Sequence, residues 1–149
     1  MRPDPITSDQ LAPEWRALLD AAMQARQRAH APYSRFAVGA ALRAGSGLIY
    51  AGANVENASS GLTVCAERVA VWKAVSEGER RIEALALITA PGATPCGACR
   101  QVLVEFEADL PILVADTDGR AWLTTLAALL PDAFPRVNYG DATGYSKSG

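Results

Sequence analysis

Apolar side chains recur along this chain with two spacings, one of three to four residues and one that is alternating or continuous. Trp15, Leu18, Leu19, Ala22 and Met23 keep the first spacing. They predict a helix capped by Ser8 or Asp9 that runs to about His30 and is ended by Pro32. His30, the single histidine, reads as a cap at the C-terminal end of that helix. Arg35 to Arg43 and Leu48 to Val55 predict two strands, joined into a hairpin by Ala44-Gly45-Ser46-Gly47. Cys65 to about Glu77 predicts a second helix that ends at Gly78. Val69, Ala70, Val71, Trp72, Ala74 and Val75 surround most of its circumference. That distribution predicts a buried helix, in part against another subunit. Ile82 to Ala90, with its Ala-Leu alternation, suits a central strand, and a short helix starts at Pro95 or Cys96 and continues through Val102 and Phe106. Pro111 to Asp116 predicts a strand, followed by a turn at Asp116-Thr117-Asp118-Gly119, a short strand near Trp122 and a helix around Leu126 to Leu130. Beyond Pro135 the composition turns to Gly, Ser, Asp and Tyr, which predicts a mobile tail after about residue 136. The order α-β-β-α-β-α-β-β-α predicts an α/β fold with one mixed sheet covered by helices. Neither an internal repeat nor an interdomain linker is visible, so residues 1–149 read as one domain.

Composition narrows the function classes. The chain has 149 residues, 50% of them apolar and 20% charged, which suits one globular domain with a real core. A net charge of −2 and no basic stripe argue against a nucleic-acid partner. No apolar stretch is long enough to span a membrane, and Met1-Arg2-Pro3-Asp4-Pro5 lacks the apolar core of a signal peptide. Reduced thiols without an export signal point to the cytoplasm. Asp116-Thr117-Asp118-Gly119 begins like a calcium loop but lacks the downstream Glu, so it reads as a hairpin turn.

The candidate chemistry sits in the cysteines. All three fall in two short motifs, Cys65-Ala66-Glu67-Arg68 and Pro95-Cys96-Gly97-Ala98-Cys99. An odd count leaves no complete disulfide framework. Three thiolates do make a three-ligand zinc site, and a catalytic zinc keeps three protein ligands where a structural one normally has four. Cys96 and Cys99 share a helix face, and a helix N-terminus favours thiolates. Glu67 lies two residues from Cys65, about 200° round an ideal helix. It faces the same site only if Cys65 occupies an irregular first turn. Three thiolates and Zn²⁺ sum to −1, and Arg68, three residues from Cys65, is placed to hydrogen-bond a ligand sulfur and restore positive character. Its simpler role is a solvated helix residue paired with a Glu. Inert core thiols or a thioredoxin-like Cys-x-x-Cys pair are the alternatives for the cysteines. The combination Cys-x-Glu with Pro-Cys-x-x-Cys instead resembles the signature of the zinc-dependent nucleobase and nucleoside deaminases.

With its surroundings, the chain resembles the small homotetrameric cytidine deaminases from roughly Ala31 to Phe134. The further markers are Pro32-Tyr33-Ser34-Arg35-Phe36-Ala37-Val38-Gly39-Ala40-Ala41-Leu42, Asn54-Val55-Glu56-Asn57-Ala58, Arg100-Gln101 after Cys99, and Leu129-Leu130-Pro131 before Phe134. The resemblance implies a three-layer α/β/α sandwich with a five-stranded mixed sheet. It implies hydrolytic deamination of cytidine and deoxycytidine, a small-molecule nucleoside substrate, and one Zn²⁺ per chain held by Cys65, Cys96 and Cys99. Glu67 matches the proton carrier, Asn54 and Glu56 the partners of the ribose 3′-hydroxyl, and Phe36 the aromatic packed on the pyrimidine. The backbone amide of Ala66 matches a donor to the base carbonyl. Ala58 and Phe134 match contacts reaching a neighbouring subunit's substrate, which implies a homotetramer with shared active sites.

Two departures stand out. Ser60-Gly61 occupies the place of a frequent aromatic-proline pair near the ribose 5′-hydroxyl, which implies a looser hold there. Phe134-Pro135-Arg136-Val137 replaces a Gly-containing continuation, so the resemblance leaves the lid geometry open. A blasticidin-S-type deaminase would share the zinc chemistry but fits Phe36-Ala37-Val38-Gly39 and Asn54-Val55-Glu56 less well. A non-catalytic zinc-binding interaction module would have no use for Glu67.

Overall fold

A computed structural model of the protein describes residues 4–134, together with the backbone of 138–139 and 145–146. Five strands of five to seven residues build the sheet: β2 (Gly39–Ala44), β3 (Ile49–Ala53), β4 (Ile82–Ile88), β5 (Pro111–Ala115) and β6 (Arg120–Thr125). A sixth, β1 (Ile6–Thr7), pairs with β6, so the order is β1-β6-β5-β4-β2-β3. The expected five-stranded sheet is therefore a six-stranded one. Two residues carry too little periodicity to be read as a strand. What makes Ile6–Thr7 one is the open edge of β6, with the Ser8 N–H donating to the Gly119 carbonyl at 3.1 Å.

Strand β4 lies centrally, antiparallel to β2 and parallel to β5. The parallel pair needs a crossover, and α3 (Gly97–Val104) is carried by it. Alternation along the strands divides the core. Leu85, Leu87, Ile112 and Val114 face α2 (Ala66–Ser76), α3 and α4 (Leu126–Leu129). Ala84, Ala86, Ile88 and Leu113 face Leu18, Leu19 and Ala22 of α1 (Pro13–Arg26). The three layers are thus α1, the sheet, and α2 with α3 and α4. Small residues let the helices lie close: a Cβ on Gly52 would meet the Ala70 amide nitrogen at 2.7 Å, and one on Gly39 would meet the Ala22 carbonyl at 2.0 Å.

Several boundaries differ from the sequence expectation, each for a local reason. Helix α1 starts at Pro13, after a 3₁₀ turn over Ser8–Gln10, because proline's fixed φ and missing N–H suit the first helical position. Neither Ser8 nor Asp9 caps it. It ends at Arg26, well before Pro32, and His30 is not its cap. His30 instead forms an isolated bridge with Val55, its N–H donating to the Asn54 carbonyl at 3.0 Å and its carbonyl accepting from the Glu56 N–H at 2.8 Å. Strand β2 begins at Gly39 rather than Arg35, whose φ of 57° is left-handed. Helix α2 presents Trp72, 52% exposed, and the exposed Lys73 to the outside of the single chain. Asp116–Gly119 forms the turn between β5 and β6 as expected, with Asp116 buried and paired with Arg120 at 2.7 Å. The expected tail after about 136 lies outside the described residues, apart from the pairing of β7 (Asn138–Tyr139) with β8 (Tyr145–Ser146).

Candidate active site

Two helix N-termini meet at the carboxyl end of β4. Cys65 is the N-cap residue of α2, with φ −73° and ψ 153°, and Cys96 is the N-cap residue of α3, with φ −67° and ψ 166°. Cys99 follows in the first turn of α3 and is buried. The sulfurs of Cys65 and Cys96 stand 3.9 Å apart, and those of Cys96 and Cys99 3.5 Å apart. A tetrahedral ion with metal–sulfur bonds of about 2.3 Å separates its ligands by about 3.8 Å. The donor set therefore fits one zinc ion in both chemistry and spacing. Among the described residues this is the one cluster of three metal-ligating side chains.

The extended conformation of Cys65 resolves the helical phase of Glu67. A cap residue is off the helical screw, so Cys65 and Glu67 line the same cleft despite their spacing. Glu67 is 4% exposed, and burial, reinforced by the Cys65 thiolate, pushes its carboxyl up to about 7. A dication at the sulfurs opposes that rise. Arg68 Nη2 donates to Cys65 Sγ at 3.2 Å. Hydrogen bonds from Cys99 and Arg68 hold the Cys65 thiol down at about 5, while the same Cys65–Cys99 contact and burial push Cys99 up. One sulfur of the pair thus ionises first, as two close like charges require.

The other end of the cleft is polar. Asn54 and Glu56 are buried there, and Phe36 lies on the rim. Asn54 Oδ1 accepts from the Val38 N–H at 2.9 Å, and its Nδ2 donates to the Phe36 carbonyl at 2.8 Å. The side chain thereby takes the place of a strand partner, which is why β2 starts only at Gly39. Glu56 accepts from the Ser34 hydroxyl and from the N–H groups of Tyr33 at 2.9 Å and Ser34 at 3.2 Å. Against the cost of burial, the Ser34 hydroxyl and these amides hold the Glu56 carboxyl below its usual range.

The single chain brings together Phe36, Asn54, Glu56, Cys65, Glu67 and Cys96 on one cleft, with Cys99 behind it and Ala66 opening α2. Ala58 does not join them and lines an adjacent depression beside Tyr33 and Ser60. Phe134 is 73% exposed and does not line its own chain's cleft, its carbonyl accepting from Gln101 Nε2 at 3.4 Å. Ser34 and Thr89 had no assigned role from sequence. Thr89 lines the cleft and its Oγ1 accepts from the Ala93 N–H at 2.7 Å, shaping the wall before Pro95. Only the Ser34 position within Pro32-Tyr33-Ser34-Arg35 hinted at either.

Residues 13–114 match the family model described as the cytidine and deoxycytidylate deaminase zinc-binding region. The chain belongs to that family. A cytidine deaminase from Sporosarcina psychrophila is 47% identical over 122 residues, 80% of this chain and 90% of that protein. The crystal structure of a cytidine deaminase from Burkholderia pseudomallei superposes with a TM-score of 0.77 at 45% identity, covering 79% of this chain and 97% of the other. A blasticidin-S deaminase from Bacillus cereus is more distant, at 29% identity over 109 residues. The matched deaminase region contains Cys65, Glu67, Cys96 and Cys99, and with the three-sulfur cluster it gives the family's zinc site, one per chain. Among the described residues no helix is long and apolar enough to cross a membrane.

Proposed function

We propose that the protein hydrolyses cytidine and deoxycytidine to uridine and deoxyuridine, releasing ammonia, as pyrimidine salvage requires. One observation carries this reading. A single cleft has a buried acid beside three metal-binding sulfurs at one end and the buried pair Asn54 and Glu56 at the other. When bound at Cys65, Cys96 and Cys99, zinc supplies the Lewis acidity that makes water a nucleophile near neutral pH.

The chain's own residues do the rest. Glu67 accepts a proton from the attacking water and delivers protons to N3 and to the departing 4-amino group. Water adds at C4, the C4–N bond breaks, and ammonia leaves. Burial of Glu67 keeps bulk water from competing for those protons. The Ala66 N–H lies in the first turn of α2, where amides lack intrahelical partners, and is free to donate to the 2-carbonyl. Phe36 packs on the ring. Glu56, held as a carboxylate, accepts from the 3′-hydroxyl, and Asn54 retains one amide hydrogen and one lone pair for the same group.

Phe134, largely exposed, and Ala58, on the adjacent depression, suit contacts to a neighbour's substrate within a homotetramer. Exposed Trp72 on α2 suits the same assembly. The absence of a basic stripe fits a free nucleoside rather than nucleic acid, and three reduced thiols fit the cytoplasm. Residues 1–149 are read as one domain of this enzyme.

Ammonia release from cytidine, deoxycytidine, cytosine and blasticidin S tests the reading directly. Turnover of both nucleosides is expected. Turnover of blasticidin S alone would favour the related deaminase, and inertness toward all four would favour a non-catalytic zinc-binding module. Light scattering tests the assembly, where a fully active monomer would overturn the shared-site arrangement.

A further inference from the structure

We infer that Arg100 is a positioning residue that aims Cys96 at the metal. The inference rests on the reading of Cys96 as a ligand. Of the three cysteines, Cys96 is the exposed one, whereas Cys99 is buried and Cys65 is held by Arg68. Packing therefore does least to fix Cys96, and its direction depends on the backbone around it.

Residue 100 meets that backbone on both sides, through the ordinary helical bond of its main chain on one and through the Arg100 guanidinium, which is what substitution removes, on the other. Its own N–H donates to the Cys96 carbonyl at 3.0 Å, and its Nε donates to the Pro95 carbonyl at 2.7 Å. Those two carbonyls belong to the peptide planes flanking the Cys96 Cα. Holding both planes fixes φ and ψ, and so the direction of the Cα–Cβ bond that carries Sγ. The guanidinium has two further anchors. Nη2 donates to Thr94 Oγ1 at 3.1 Å, and Nη1 donates to the Leu129 carbonyl at 2.6 Å, at the end of α4. Thr94 itself lines the cleft. One rigid, planar side chain thus ties the ligand turn to the cleft wall and to a separate helix. A lysine has a single ammonium and no fork with which to do so.

The test compares the zinc-loaded protein with Arg100→Gln, Arg100→Lys and Thr94→Val, following zinc transfer to an excess of a chromogenic chelator. Melting temperatures of the metal-stripped proteins are recorded alongside. Arg100→Gln and Arg100→Lys should lose zinc about 10–100-fold more readily, the usual effect of removing a group that orients a ligand. Thr94→Val, which keeps both carbonyl contacts, should fall between them and the unmodified protein. Metal-stripped melting temperatures should stay near the unmodified value. Cobalt-substituted Arg100→Lys should also show an altered thiolate-to-metal absorption band.

Zinc loss at the unmodified rate from folded Arg100→Gln or Arg100→Lys would overturn the inference. So would a metal-stripped melting temperature that falls in step with zinc loss, since that marks a general structural role. If Arg100→Gln does not fold, Arg100→Lys and Thr94→Val decide the matter by the same criteria. An unmodified protein that binds no zinc would instead refute the ligand reading, and the inference with it.

Discussion

Arg68 reaches back one turn of α2 to place its Nη2 3.2 Å from the sulfur of Cys65. Its Nε is buried with no hydrogen-bond partner among the described residues. The contact with Cys65 raises the affinity of Arg68 for its proton, so the guanidinium stays charged beside the thiolates. Three thiolates and one Zn²⁺ carry −1, and Arg68 brings the group to neutrality. Arg68→Gln should therefore retain zinc yet lower kcat by about 10–100-fold. Metal analysis and steady-state kinetics on the same sample check both parts.

Cys65→Ala, Cys96→Ala and Cys99→Ala should each abolish tight zinc binding, because two thiolates do not complete the three-ligand set. Elemental analysis of each purified variant should read well below one zinc per chain. Full occupancy in any of them would remove that cysteine from the ligand set.

Glu67→Gln preserves the shape of a buried side chain while removing its ability to carry a proton. Folding and zinc content should be unchanged, and kcat should fall by at least about 10²–10⁴-fold. Near-normal turnover would exclude Glu67 as the proton carrier.

The pH dependence of nucleoside binding should report on Ser34. Its hydroxyl is the main influence holding the Glu56 carboxyl low, so Glu56 remains an acceptor well into the acid range. Ser34→Ala removes a donor to the charged form and raises that value. The acid-side increase in KM should begin at higher pH in Ser34→Ala than in the unmodified protein. Coincident KM profiles would show that Glu56 does not hold the sugar.

Asp116 makes a comparable argument for stability. Against the cost of burial, the N–H and guanidinium of Arg120 and the Asp118 N–H hold its carboxyl low. A depressed carboxyl stabilises the fold above the ordinary carboxylate range of about 3.9 and loses that contribution as pH falls through its own lower value. Asp116→Ala should cost about 1–3 kcal/mol at neutral pH, as the charge-assisted bonds from Asp118 and Arg120 are lost. The deficit should shrink as the solution is acidified, which thermal melts across pH measure.

How much of this was legible beforehand follows from the range over which each interaction acts. The order of helices and strands was readable because alternation and helical spacing are local, and Leu85 and Leu87 face one layer while Ala84 and Ala86 face the other as their spacing requires. The sulfur cluster and the buried acid on the same cleft are legible because two short motifs carry them in compact form. Boundaries depart from the sequence pattern where a distant partner intervenes. Arg35 to Val38 reads as strand, yet Asn54 satisfies Val38 and the carbonyl of Phe36 with its side chain, so the ladder starts later. The helix expected to reach His30 stops at Arg26 because the chain beyond pairs with Asn54 to Glu56.

Sequence by itself determined the chemical inventory: three sulfurs, an acid two residues from the first, an arginine one turn on, and the alternation that makes a covered sheet. Only the tertiary structure decided how these are aimed. The extended backbone of Cys65 turns Glu67 into the cleft, Ser34 keeps Glu56 charged, and the Arg100 guanidinium holds the peptide that leads into Cys96. Each of these depends on a backbone angle or a donor set by packing between separate elements. Spacing along one strand or helix cannot encode such a direction, because it records which residues share a face and not what holds them there.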